Sequence, residues 1–236
     1  MCYNIFMNEK ELFLKYNIVL AEQKKLLFNN YANILVDKNK EFNLTAITEI
    51  NEIWVKHFLD SGLIVNDIPN NAKVLDVGTG AGFPGVPLKI LNDSLNVTLL
   101  DSLNKRVNFL NELIEKLNLK NITAVHSRAE DYVKVSRETF DFVVSRAVAK
   151  LPTLLEYCLP YVKVGGYFVA YKSLNVDEEI DESKNALNIL GGVIDKEKTK
   201  TINLEGNSRT LVFVKKIKNT PNKYPRGQNK PKNMPL

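Results

Sequence analysis

Apolar positions along the chain repeat with a helical period up to about residue 60, and from residue 73 short apolar runs alternate with helical ones. In the first part, Leu26, Leu27, Tyr31, Ile34 and Leu35 recur at i, i+3 or i+4 spacing as one apolar stripe, so residues 9–60 read as helical. The stripe predicts a helical cap over the later sheet. Asn43-Leu44-Thr45 interrupts it as a connecting loop, and Thr48, with Asn51 three positions on, reads as the start of a helix carrying Trp54, His57, Phe58 and Asp60. His57 there is either a packed residue or one that faces a ligand.

The alternation that follows predicts a mainly parallel sheet with right-handed crossovers. Strands are expected at 73–77, 96–101, 122–126, 140–145 and 164–171, the last after a Gly165-Gly166 turn. Helices are expected at 84–91, opened by Pro84, and from a Ser102 cap to about Leu117. Two more are expected through Leu154, Leu155 and Leu159 and over 176–190. The runs 192–202 and 210–217, separated by Glu205-Gly206-Asn207-Ser208, read as a closing β-hairpin. A dinucleotide fold would add another parallel strand at this point. The expected organisation is a helical cap (1–66), one catalytic α/β domain (67–218) and a tail (219–236).

The stretch Val74 to Gly85 carries the candidate chemistry. An apolar strand runs into glycines at alternate positions, where positive φ and close backbone approach to a ligand are available. Gly80, Gly82 and Gly85 satisfy the dinucleotide fingerprint G-x-G-x-x-G, while Asp76, Gly78, Gly80 and Gly82 satisfy D-x-G-x-G-x-G, the pattern of S-adenosylmethionine (SAM) enzymes. A carboxylate at the strand end would repel a pyrophosphate, whereas SAM carries an ammonium and a sulfonium. Asp76 therefore favours SAM, and is expected near its methionine end, directly or through water.

Composition narrows the class further. Hydrophobic content of 44% and charged content of 25% suit a soluble globular domain. No apolar run approaches the roughly 20 residues a membrane span needs, and Met1 to Glu11 lacks the order of a signal peptide, so a cytoplasmic protein is expected. Cys2, Cys158, His57 and His126 are too few for a disulfide framework or a structural metal site. Lys215, Lys216, Lys218, Lys223, Arg226, Lys230 and Lys232 concentrate +7 near the C-terminus, leaving −2 for the remainder of a chain whose net charge is +5.

Ligands of an open parallel sheet lie across the carboxyl ends of its strands. Asp101 ends the second strand, where an acid can accept both ribose hydroxyls of SAM or equally of NAD. Ala129 and Glu130 follow the third strand and suit an adenine, although an acidic first turn of a helix explains them as well. Arg146, after the fourth strand, offers a planar cation for phosphate or a guanine edge, or a surface ion pair. The Asn/Asp-Pro-Pro-aromatic motif of amine methylation is absent, and Cys158 lies in an apolar stretch unsuited to a nucleophile. Guanine N7 needs neither, because its lone pair is free at neutral pH. The tail, with Tyr224 as a stacking platform among Lys223, Arg226, Lys230 and Lys232, is expected to be extended and to track RNA phosphates, or only to solubilise the chain.

Together these residues resemble the RsmG (GidB) family of bacterial methyltransferases, which modify guanine N7 in the decoding-centre loop of 16S rRNA. The resemblance rests on Asn43-Leu44-Thr45, Lys56 to Ser61, Asp76 to Gly85, Asp101 to Arg106, Arg128-Ala129-Glu130, Ser145-Arg146-Ala147-Val148-Ala149 and Thr220 to Leu236. It implies a Rossmann-like class I SAM-dependent methyltransferase fold, with Gly78 and Phe83 in the cofactor pocket and Ala129 and Glu130 on the adenosine. The expected cofactor set is Asp76, Gly78, Gly80, Gly82, Phe83, Asp101, Ser102, Ala129, Glu130 and Arg146. Arg146 also positions substrate or cofactor, and no general base is expected. The expected partner is 16S rRNA or the small ribosomal subunit, with no membrane, no metal and a monomeric enzyme. An NAD-linked oxidoreductase and a non-catalytic RNA-binding SAM sensor are the competing readings.

Overall fold

The computed structural model describes residues 8–146, 149–173 and 176–236. Cys2, residues 1–7 of the Met1 to Glu11 segment, and Ala147 and Val148 of the Ser-Arg-Ala-Val-Ala run lie outside the described residues.

The cap is helical but twice interrupted, as α1 (Glu9–Leu14), α2 (Glu22–Asn39) and α3 (Ile50–Ile53), which continues through a π-helical turn (Trp54–Leu59) into α4 (Asp60–Gly62). In α2, Tyr31 and Leu35 are fully buried and Leu27 and Ile34 pack at the margin, but Leu26 is 61% exposed. Successive helical residues are about 100° apart, so Leu26 turns away from the face that its neighbour reaches. The cap of α3 is Glu49 rather than Thr48: its carboxylate accepts the Glu52 N–H at 2.8 Å.

The sheet contains β1 (Lys73–Val77), β2 (Asn96–Asp101), β3 (Ile122–His126), β4 (Phe140–Arg146), β5 (Val162–Lys172), β6 (Gly192–Ile194), β7 (Lys200–Leu204) and β8 (Asn207–Lys216). Its order is β3-β2-β1-β4-β5-β8-β6, with β7 also on β8. The first five strands are parallel and β8 is antiparallel to β5, so the closing antiparallel element takes the form expected. The expected single strand over 192–202 is two, because the chain turns at Asp195, whose carbonyl accepts the Thr199 N–H. Gly165 and Gly166 do not precede β5 but lie inside it, where the register jumps from Phe140↔Val162 to Phe142↔Tyr167. A side chain at Gly166 would come within 2.6 Å of the Asp141 carbonyl.

The connecting helices are α5 (Gly85–Leu91), α6 (Asn104–Lys116), α7 (Ala129–Ser136), α8 (Leu151–Cys158), α9 (Asp177–Glu182) and α10 (Lys184–Leu190), with a short α11 (Lys230–Asn233) in the tail. Ser102 does not cap α6; the Asp101 carboxylate takes the Leu103 N–H instead, at 2.9 Å. Pro84 stands just before α5, its carbonyl accepting the Leu88 N–H. The central strands alternate between two apolar clusters, as sheets covered on both faces do. Val74, Leu99, Val144 and Phe213 face the cluster containing the cap, whereas Leu75, Leu100, Val143 and Val212 face the one containing α8 and α10.

The tail is not extended. Tyr224 is buried in the second cluster, and Arg137 donates to its carbonyl and to that of Thr220. The fully buried Glu156 of α8 explains the docking, since a buried carboxylate demands a partner. Arg226 supplies it in a forked pair, Nε–Oε1 2.9 Å and Nη2–Oε2 2.7 Å, and its backbone N–H adds a bond of 2.7 Å.

Candidate active site

A cleft of about 590 Å³ opens at the carboxyl ends of β1, β2 and β4, beside the point where the strand order reverses. Gly78 and Gly80, with φ of 72° and 62°, form its floor. The Gly80 N–H donates to Asp101 Oδ2 at 2.9 Å, which pins the glycine turn to the end of β2. A side chain on Gly80 would meet no atom within 4 Å, so open space lies in front of this backbone.

Gly82 and Asp76 do not line the cleft. At Gly82 a Cβ would lie 2.7 Å from the Tyr31 hydroxyl and from Val86, so this glycine lets the cap approach the turn. Asp76 alternates with Leu75 and Val77 and is turned to the cap side, under the turn. There it accepts Thr79 Oγ1 at 2.7 Å and Gly85 N at 2.8 Å, while Oδ1 has no partner. Burial pushes its carboxyl up to about 7, against the pull of those two donors. Asp76 thus braces the turn from beneath.

Asp101, Ser102 and Arg106 line the middle of the cleft, and Ala129, Glu130 and Tyr157 line it beyond β3. Asp101 is buried, with Leu103 N on one oxygen, and Gly80 N and Arg106 on the other. Asn229 of the tail completes this end.

The opposite end is built on Arg146. Its Nη1 donates to Asp60 Oδ2 at 2.8 Å and to the Lys56 carbonyl at 3.0 Å, and its guanidinium lies 4.9 Å from the centre of the Phe83 ring. Its Nη2 lies 3.1 Å from His57 Nδ1. The Lys56 carbonyl also lies 3.2 Å from Nδ1, but it is served by Arg146 Nη1. A guanidinium only donates, so Nδ1 accepts from Nη2, and the imidazole proton is assigned to Nε2, 2.8 Å from Thr45 Oγ1. Burial and the neighbouring Arg146 cation lower the His57 pKa to about 4, so the ring is neutral at physiological pH. His57 also stacks on Phe83, with ring centres 4.4 Å apart. The π-helical turn presents Lys56, His57 and, one residue on, Asp60 to the same guanidinium; such turns recur at functional sites.

Of the residues expected in the cofactor set, Gly78, Gly80, Phe83, Asp101, Ser102, Ala129, Glu130 and Arg146 share this cleft. Of the five expected to meet RNA, Lys223, Lys230 and Lys232 are exposed, whereas Tyr224 and Arg226 are committed inside the fold. Sequence reasoning missed Thr45 and Tyr157 as lining residues, as well as Asn229. It also missed Arg209, which binds Asp60 through Nε–Oδ1 at 2.6 Å and Nη2–Oδ2 at 3.0 Å. Only Thr45 left a signal, as part of a loop between helices. Among the described residues no group of three His, Cys, Asp or Glu is placed to hold a metal, and no helix is long and apolar enough to cross a membrane.

A SAM dependent methyltransferase from Aquifex aeolicus superposes with a TM-score of 0.53 over 76% of this chain and 97% of its own, at 21% identity, a likeness of fold. Two proteins called ribosomal RNA small subunit methyltransferase G are far closer in sequence. The one from Lachnoclostridium phytofermentans is 52% identical over 89% of this chain and 88% of its own. The one from Desulforamulus reducens is 50% identical over 92% of each. The family model for rRNA small subunit methyltransferase G (GidB) matches residues 24–212, and the chain belongs to that family.

Proposed function

We propose that the protein transfers the methyl group of SAM to N7 of a guanine in the decoding-centre loop of 16S rRNA. The observation that carries this reading is the continuity of one cleft from the glycine turn and Asp101 to Arg146, His57 and Thr45 of the cap. Family membership supplies the reaction and the rRNA substrate.

The residues present fit the cofactor. The cleft volume lies within the roughly 300–1,000 Å³ of small-molecule sites, and the Gly80 backbone faces open space. When bound, SAM supplies an electrophilic methyl on a sulfonium. Gly78, Gly80 and Phe83 would hold its methionine side, Asp101 and Ser102 its ribose, and Ala129 and Glu130 its adenine. Asp101 retains acceptor capacity on Oδ1, which takes only one hydrogen bond.

No residue at the Arg146 end is set up as a general base. Both nitrogens of neutral His57 are engaged, and Cys158 is buried with its thiol pKa pushed up by desolvation. Guanine N7 requires no base, because no proton leaves before it attacks. Rate then comes from alignment, to which a well-held site contributes several orders of magnitude. Arg146, fixed by Asp60, Lys56 and His57, orients the base or the cofactor beside Phe83.

In this reading residues 1–66 cap the site, 67–218 carry the cofactor, and 219–236 present Lys223, Lys230 and Lys232 to RNA. The cytoplasm, where small subunits are made, is its compartment, and a monomer suffices for the chemistry. Labelled methyl from SAM should enter small-subunit rRNA lacking the modification, and borohydride and aniline should then cleave at one guanine of that loop. Label elsewhere in the RNA would refute the site, and no label in RNA, precursor or subunit would refute the activity.

A further inference from the structure

The tail reaches the cleft through a chain of specific attachments. Arg226 forks onto the buried Glu156, and Thr153 Oγ1 donates to the Pro231 carbonyl at 3.0 Å. Both anchors are on α8, the helix whose Tyr157 lines the cleft. Between the two attachment points the chain turns through Gln228 and Asn229, with φ of 59° and 56°, and Asn229 meets the cleft beside the end formed by Ala129, Glu130 and Tyr157. Arg226 Nη2 also donates to the Met234 carbonyl at 2.8 Å, closing the segment into a loop. A disordered solubilising end would need none of these bonds.

We propose that Asn229 is a cofactor-binding residue and that Arg226 is its positioning residue, so that the basic tail forms one wall of the adenine end of the cleft. The inference rests on the reading of the cleft as a SAM site. The Asn229 carboxamide offers a donor and an acceptor side by side, the complement of the amino group and ring nitrogen that adenine presents on one edge. Glu130 and Ala129 bound the same end from α7. The tail thereby serves the cofactor as well as RNA.

The test is calorimetric titration of the full-length protein with S-adenosylhomocysteine and with its deaminated analogue S-inosylhomocysteine, in the absence of RNA. Wild type should bind the adenosyl form more tightly. Asn229→Ala, at an exposed position with φ of 56°, should lower the unliganded melting temperature only by the small strain of Ala in the left-handed region. It should weaken S-adenosylhomocysteine binding about 3- to 10-fold, as the loss of one or two hydrogen bonds predicts, and lose much of the preference over the inosyl form. Arg226→Ala should reduce the same preference, a change that lost stability alone would not produce. If wild type binds and Asn229→Ala binds both compounds as wild type does, the inference is wrong while the cleft assignment stands. If wild type binds neither compound, the cleft assignment fails and this inference with it.

Discussion

Arg146 and Asp60 form a buried ion pair across the junction of sheet and cap, with Nη1 2.8 Å from Oδ2 and side chains 9% and 1% exposed. Arg209, from β8, binds the same carboxylate, so Asp60 joins the end of β4 and the start of the antiparallel strand to one helix turn. Two cations on one buried carboxylate leave one positive charge over, and it faces the cleft on Arg146.

Replacing Arg146 by Ala should therefore harm the reaction more than the fold. Breaking a buried pair typically costs about 3–5 kcal/mol because a charge is stranded, but Arg209 still neutralises Asp60, so the loss of stability should fall below that range. Methyl transfer should fall by about 100-fold or more if the guanidinium holds a reactant in line. Single-turnover transfer rates and melting temperatures of Arg146→Ala and Arg146→Lys would decide this. Unchanged turnover in either variant would remove Arg146 from the site.

His57 and Asp76 should give opposite pH dependences of stability. His57 is held near 4, below the usual value of about 6.5, so the unfolded chain takes up its proton first and stability is lost as pH falls from about 6.5 to about 4. Asp76 is held up near 7, above the usual value of about 3.9, so stability is lost as pH rises from about 4 through 7. Each slope is at most about 1.4 kcal/mol per pH unit, and over pH 4 to 6.5 they oppose each other. Denaturant melts should show His57→Gln gaining relative to wild type as pH falls through that window, and Asp76→Asn gaining as pH rises. A pH-independent difference for either variant would contradict the burial assigned to that side chain.

Much of the fold is legible in the sequence because it depends on local pattern. The five parallel strands follow from short apolar runs, and the glycine turn from residues that only a special backbone requires. Asp101 and the Ala129-Glu130 pair fall at strand ends by topology alone. What is not legible depends on partners distant in the chain. Arg209 lies 149 residues from Asp60, and Arg226 lies 70 from Glu156. Glu156, in an apolar helix, gives no sign that it awaits a cation, so Arg226 and Tyr224 read as surface residues. Asp76 is legible only in part. The motif fixes that an acid stands there, but strand alternation decides which way it points.

The glycine turn separates two effects that the motif alone merges. Gly82→Ala forces a Cβ to within 2.7 Å of the Tyr31 hydroxyl at a φ of 103°, so it should lower stability by about 1–3 kcal/mol, the usual cost of overpacking. Gly80→Ala also has positive φ, but its Cβ meets nothing, so it should cost only the backbone strain, about 1–2 kcal/mol, with no overpacking added. That methyl instead projects into the cleft and should weaken S-adenosylhomocysteine binding. Thermal melts with and without the ligand should show Gly82→Ala losing mainly melting temperature and Gly80→Ala losing mainly the ligand-induced increase. The reverse assignment would mean that the cleft floor has been misidentified.

The tail should divide into residues that stabilise the fold and residues that meet RNA. Tyr224 is 6% exposed and packs in the cluster with α8, so Tyr224→Ala should cost about 3–5 kcal/mol, as large core truncations do. It should change RNA affinity only as far as it unfolds the protein. Lys223, Lys230 and Lys232 are exposed, and among the described residues none has a carboxylate within ion-pair distance. Replacing all three by Ala should leave the melting temperature nearly unchanged and weaken RNA binding. The slope of log affinity against log salt should become shallower by about 0.7 for each phosphate of single-stranded RNA that the variant no longer neutralises. Filter binding at several salt concentrations measures both quantities at once. An unchanged slope in the triple variant would show that the positive charge of the tail does not engage phosphate, and that its work lies wholly in holding α8 and the rim of the cleft.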